Sequence, residues 1–175
     1  AYSHTGIGAA IGGNTVYIGG AYGGVWKSSN AANLDPSQVQ WTSLTDGLHG
    51  ALSTGCPGGQ AALPFPPSLA IGALAVQPGN ADVTNSLILA GTGEPNNSID
   101  SYYGVGILRF TNGGSAWCLI SQAATGQSFA GLGFSKIAFS ANNPNLVVAA
   151  AAATSQGLIE GLENPTTLAR GIYYS

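Results

Sequence analysis

The sequence predicts an all-β fold: a β-propeller of four-stranded antiparallel blades, with about two and a third blades present. Three observations carry this expectation. Short apolar runs alternate with clusters of Gly, Asn, Pro and Ser, as strands alternate with turns. Glycine supplies 27 of 175 residues, roughly twice its usual share, which suits tight turns and crowded strands. One plan of strands also recurs three times along the chain.

The three copies are GGNTVYIGGAYGGVWKSS (12–29), TNSLILAGTGEPNNSIDSYYGVGILRFTNGG (84–114) and NPNLVVAAAAATSQGLIEGLENPTTLARGIYYS (143–175). Each holds a strand, a connector of variable length, and a second strand opened by Gly with Val or Ile. Trp26, Leu108 and Tyr173 are expected at equivalent places in the second of these strands. A further strand precedes each pair, at 5–13, 68–80 and 134–145. A fourth follows in two units, as VQWTSLTD (39–46) and SAWCLIS (115–121). The expected division is blade one at 1–50, a Pro/Gly-rich connector at 51–67, blade two at 68–122 and an incomplete blade three at 123–175. All belong to one propeller domain fragment.

A single four-stranded sheet cannot cover both of its faces, so each unit must pack on the next. Strands nearest the axis are crowded, and the run Val147 to Ala153 fits that place. A β-sandwich of about nine strands is the competing all-β reading. No segment shows capped helical periodicity.

Composition narrows the function classes. Charged residues are only 6% of the chain, net charge is −3, and hydrophobic residues reach 45%, so the chain is not of disordered type. Its basic residues, Lys27, Arg109, Lys136 and Arg170, are scattered and build no phosphate-tracking patch, so nucleic acid is not an expected partner. No apolar run reaches the ~18 residues of a membrane-spanning helix. Methionine is absent, so Ala1 is either a product of processing or the point where the sequenced stretch starts. Cys56 and Cys118 have no CxxC spacing and no nearby His, which disfavours zinc. They read as a disulfide of an exported protein, extracellular, periplasmic or at the cell surface, with two buried thiols as the alternative.

The segments GTGEPNNSIDSYYGVGIL, GGVWKSS and TNGGSAW resemble the Asp-box repeat propellers of the sialidase, BNR-like and sortilin-like kind, in secreted bacterial proteins. The usual box reads Ser-x-Asp-x-Gly-x-Thr-Trp, in the turn between a blade's third and fourth strands. Phe110, Thr111, Asn112, Gly113, Gly114, Ser115, Ala116 and Trp117 occupy that frame, with Asn112 in place of the Asp. In the first unit Ser28 and Asn30 open the frame, and an insert delays its Trp to Trp41. The resemblance implies a structural role for these residues: a short side chain ties the turn and the Trp packs between blades. It also implies that the ring must be completed by further blades, from the same or another chain, because propellers close with four to eight.

The loop from Glu94 to Tyr103 holds the candidate site. Glu94, Asn96, Asn97, Ser98 and Asp100 offer hard oxygens, so calcium is a candidate ligand, although such loops also fold by bonding their own backbone. Tyr102 and Tyr103 beside two acids could stack a sugar ring while the acids take its hydroxyls; the plainer alternative is that they pack at a blade rim. Hydrolysis of a glycoside needs two carboxylates, and Glu94 with Asp100 is the candidate pair. The three-Arg cluster of sialidases is missing. The Asp of a xyloglucanase-type Asp-x-Gly-Gly turn is replaced by Ala21 in Ala21-Tyr22-Gly23-Gly24. An assembly factor of the photosystem-associated propeller kind would show an Arg-rich patch that this chain lacks. His4 and His49 lack any triad context. The expected function is a binding or structural module that recognises glycan or protein, or that assembles with other chains. Part of a propeller glycoside hydrolase is the alternative.

Overall fold

A computed structural model describes residues 14–46, 69–79, 87–96, 98–162 and 169–175. The expected strand at 5–13, the connector at 51–67, and Asn97, Cys56, His4 and His49 lie outside the described residues.

The described residues form ten strands in three antiparallel sheets. The first sheet holds β1 (Val16–Gly20), β2 (Gly24–Ser28) and β3 (Thr42–Ser43). The middle sheet holds β4 (Ile71–Val76), β5 (Ile88–Thr92), β6 (Ile107–Thr111) and β7 (Ala116–Ile120) in sequence order. The third sheet holds β8 (Leu132–Phe139), β9 (Val147–Ala153) and β10 (Gly171–Tyr174), ordered β10-β9-β8. The chain is thus all-β, and its middle sheet has the four strands that the sequence predicts for blade two. Among the described residues one α-helical segment was not expected: α1 (Ser155–Ile159), started by Thr154, whose hydroxyl accepts from Gly157 N–H at 3.0 Å. It is too short for any 3.6-residue pattern to register in the sequence.

Two apolar cores explain the stacking. Ile88, Ala90, Leu108, Phe110 and Leu119 of the middle sheet join Tyr17 and Val25 of the first. Leu89, Ile107 and Ala73 join Leu132, Phe134, Ile137, Ala149 and Ala151 of the third. Neighbouring residues on β5 and β6 therefore enter opposite cores, as the two-residue period of a strand requires. Most of these side chains are at most 5% exposed, so the middle sheet is buried on both faces.

On β4 the alternation breaks once. Ile71 pairs with Thr92 and Ala73 with Gly91, which leaves Gly72 as a bulge. The extra residue turns Ile71 toward the first sheet, alongside Leu74. β8 carries the same device at the same place: the register jumps between Phe134 and Lys136, so Phe134 and Ile137 face the middle sheet together. With Leu74 aligned to Ile137, the ladders align Ala90 with Ala149 and Leu108 with Tyr173. Trp26, paired with Ile18, falls at the corresponding place in the first sheet. The three units are thus superposable by register, including the expected Trp26, Leu108 and Tyr173.

The turn of residues 112–114 between β6 and β7 is where the sequence places its box. Asn112 has φ +51°, and its carbonyl accepts from Ser115 N–H and, at 3.1 Å, from the Ser115 hydroxyl. The Gly113 carbonyl accepts from Lys27 Nζ at 2.8 Å and from the Tyr17 hydroxyl at 3.4 Å, so the turn is pinned to the preceding sheet. Trp117 packs against the same core as Tyr17. In the first sheet Asn30 bridges the insert: Oδ1 accepts from Gln40 N–H and from the Ser28 hydroxyl, and Nδ2 donates to Gln38 O. Extending the β2–β3 register by one sets Trp41 opposite Ser28, as Trp117 lies opposite Phe110. Trp41 is half-exposed.

The outer face of the third sheet is partly exposed. Ile172 and Val148 are 75% and 42% exposed, whereas the register-equivalent Ile107 and Leu89 are 8% and 5% exposed beneath the third sheet. Among the described residues no helix is long and apolar enough to cross a membrane.

Candidate functional site at the convergence of three connectors

Each sheet has a connector between its second and third strands by register: Ala21–Gly23, residues 93–106, and residues 154–170. The described parts of all three meet at one end of the molecule. The Tyr22 hydroxyl donates to Asp100 O at 3.0 Å. Ser101, buried, accepts at Oγ from Ser155 N–H at 2.8 Å and at its carbonyl from Gln156 N–H.

The middle connector is fixed from within. Thr92 is fully buried, and its hydroxyl donates to Gly106 O at 2.7 Å while accepting from Val105 N–H and Gly106 N–H. Glu94 N–H donates to Tyr102 O and Ser101 N–H to Ser98 O. At the start of the loop Gly93 has φ +83°, and a Cβ there would lie 2.5 Å from Leu132 O, so only glycine fits between the sheets. Thr92→Val keeps the volume but removes the acceptor of the Val105 and Gly106 N–H groups, while the Gly106 carbonyl keeps its bond from Thr92 N–H. It should cost about 2 kcal/mol in urea unfolding and raise amide exchange at Val105 and Gly106 first.

Three aromatic rings lie together on this end. Tyr102 and Tyr103 stack with centroids 5.0 Å apart, and Tyr22 meets Tyr102 edge-on at 5.5 Å. Tyr22 is exposed, while Tyr102 and Tyr103 are half-buried. Burial raises the Tyr103 phenol above its ordinary pKa, and the nearby charge of Glu160 adds to the effect. The predicted Tyr102 and Tyr103 are thus joined by Tyr22 and Glu160, which sequence reasoning did not assign to the site. Both come from the equivalent connectors of the other two units, which is the signal that could have found them.

The acids are held differently. Glu94 is nearly buried and its Oε1 accepts from Asn96 Nδ2 at 2.9 Å. Asp100 is exposed, and its carboxylate accepts from the Ser98 hydroxyl, which holds its pKa below the ordinary value. That is opposite to what a general acid requires, so Asp100 is suited to accepting hydrogen bonds. Asn96 Oδ1 also accepts from Ser98 N–H, so this polar stretch is wound on itself as an Asx turn. Among the described residues no three His, Cys, Asp or Glu side chains cluster as a metal site would. Cys118 is buried on β7 and disulfide-bonded.

What the arrangement offers chemically is an aromatic shelf with the Glu160 carboxylate near Tyr103 and the Asp100 backbone carbonyl bonded to Tyr22. No family model, curated protein or solved structure matches this chain.

Proposed function

We propose that the three sheets are blades of an Asp-box-type β-propeller, and that the convergence of their connectors is a carbohydrate-binding surface of an exported protein. The observation that carries the reading is the ring trio Tyr22, Tyr102 and Tyr103, drawn from two sheets and flanked by Asp100 and Glu160. Aromatic faces take the apolar face of a pyranose, and ionised carboxylates accept its hydroxyls. The repeat supports the blade assignment: bulged first strands, equivalent registers and a box-like turn docked on the preceding sheet. The partly exposed outer face of the third sheet fits an incomplete ring that further blades close. A disulfide-bonded Cys118 fits an oxidising compartment.

Titration calorimetry against neutral oligosaccharides found on a glycan array tests the surface. Tyr102→Ala should weaken binding about tenfold, near 1.4 kcal/mol, with the melting temperature unchanged. Equal affinity in Tyr102→Ala and Tyr103→Ala proteins, or no glycan bound at all, would remove the carbohydrate reading.

A further inference from the structure

Asn112 is the only asparagine of the sequence that is followed by glycine. It is also the only non-glycine residue with positive φ among the described residues, at +51°, and Gly113 follows at +64°. Two left-handed residues in a row make a tight turn, and Gly113 has no Cβ to fend off the side chain before it. Asn112 stands exposed to water there.

Its side-chain amide is loose where others are held. The amides of Asn14, Asn30, Asn33, Asn96 and Asn143 are each hydrogen-bonded, to backbone or to a neighbouring side chain. Among the described residues the amide of Asn112 has no partner, and the two others so left, Asn142 and Asn145, precede Asn143 and Leu146 rather than glycine.

The backbone around Asn112 is polarised. Its carbonyl accepts from Ser115 N–H at 3.4 Å and from the Ser115 hydroxyl at 3.1 Å. The next carbonyl, of Gly113, accepts from the Lys27 ammonium at 2.8 Å. Donors on the first carbonyl and a cation one peptide away both favour the anion formed when Gly113 N–H gives up its proton.

We infer that Asn112 is a site of self-modification, which loses its side-chain amide to attack by the Gly113 nitrogen without an enzyme. Asparagine is among the chemically labile side chains. The Gly113 nitrogen bonds to Asn112 Cγ and closes an imide ring. The bond from Cγ to Nδ2 breaks, and Nδ2 leaves as ammonia with the proton that the peptide nitrogen gave up. Water then adds to one imide carbonyl and opens the ring, to aspartate or to isoaspartate. Either product sets a carboxylate in the turn that Lys27 and Tyr17 tie to the first sheet. The reaction uses residues 112–115 and Lys27 and is independent of any glycan at the connectors.

The test is peptide mapping by mass spectrometry of the folded full chain, held in mildly alkaline buffer. Acid is expected at Asn112 at least about tenfold faster than at any other asparagine. Conversion should quicken as pH rises, because the attacking nitrogen must first lose its proton. Ser115 is exposed, so Ser115→Ala should hold the melting temperature. It removes the hydroxyl donor and should slow conversion at least about threefold. Asn112→Gln should remove the fast phase of ammonia release, because the longer side chain closes a larger ring. An intact Asn112 in the folded chain, while a peptide of residues 108–118 converts, overturns the inference, because the turn then protects the amide. So does faster loss at another asparagine, or an unchanged rate in Ser115→Ala.

Discussion

Phe134→Ala should lower stability by about 4 kcal/mol, a fall of about 12 °C in melting temperature for a domain of this size. Phe134 is fully buried and sits at the middle of the contact between the second and third sheets. Its ring meets Phe129 edge-on at 5.3 Å, and Phe129 in turn meets Tyr173 edge-on at 5.0 Å. Its Cβ lies over Gly91, where an added Cβ would come within 2.3 Å of it. The hole left by the ring could not be refilled from β5, because Gly91 has no side chain to move. Urea unfolding with Ile172→Ala as a control measures the difference. Ile172 is largely exposed on the opposite face, and its truncation should change little. A loss below about 1 kcal/mol at Phe134 would mean that β8 does not pack on the middle sheet as described.

Gly72→Ala should cost about 3 kcal/mol through overpacking, from the addition of a single methyl group. A Cβ on Gly72 would lie 2.2 Å from Gly93 O and 2.4 Å from Phe134 O. Both are backbone atoms, one at the start of the middle connector and one in the third sheet, so neither can rotate aside. β4 would have to part from β8, and Gly93 would shift at the root of the connector that presents Tyr102. Two readouts should therefore move together: the unfolding midpoint, and the near-ultraviolet circular dichroism of the stacked tyrosines. A variant as stable as the parent would remove the close approach of these strands.

The strands of the middle sheet were legible because their residues obey simple rules. Ile88 to Thr92 and Ile107 to Thr111 are short apolar runs bounded by glycine, and Ala116 to Ile120 follows a recognisable Asn-Gly-Gly turn. The bulges at Gly72 and Ser135 were not legible. One residue outside the ladder reverses which side chains face inward, and nothing in Ile-Gly-Ala or Phe-Ser-Lys announces it. Half of the candidate site was legible for a similar reason. Tyr102, Tyr103, Glu94 and Asp100 are neighbours in sequence, so their types alone marked the loop. Tyr22 reaches that loop across 78 residues, and Glu160 reaches it from the third unit. Only the stacking of the units brings them there. The helical turn at Ser155 was hidden because five residues, one of them glycine, show no amphipathic period.

The carbonyl of Gly113 draws its protons from Lys27 and Tyr17 of another sheet, Ser101 is held by the start of α1, and Gln77 Nε2 donates to Pro144 O at 2.8 Å. Every turn so tied takes its hydrogen bonds from a neighbouring unit. A unit that came loose would give up these bonds to water and uncover the apolar face of the one beside it, so the three units are expected to melt together as one transition. The interlock makes the three units a single cooperative body, even though each is built on a plan that could be repeated indefinitely.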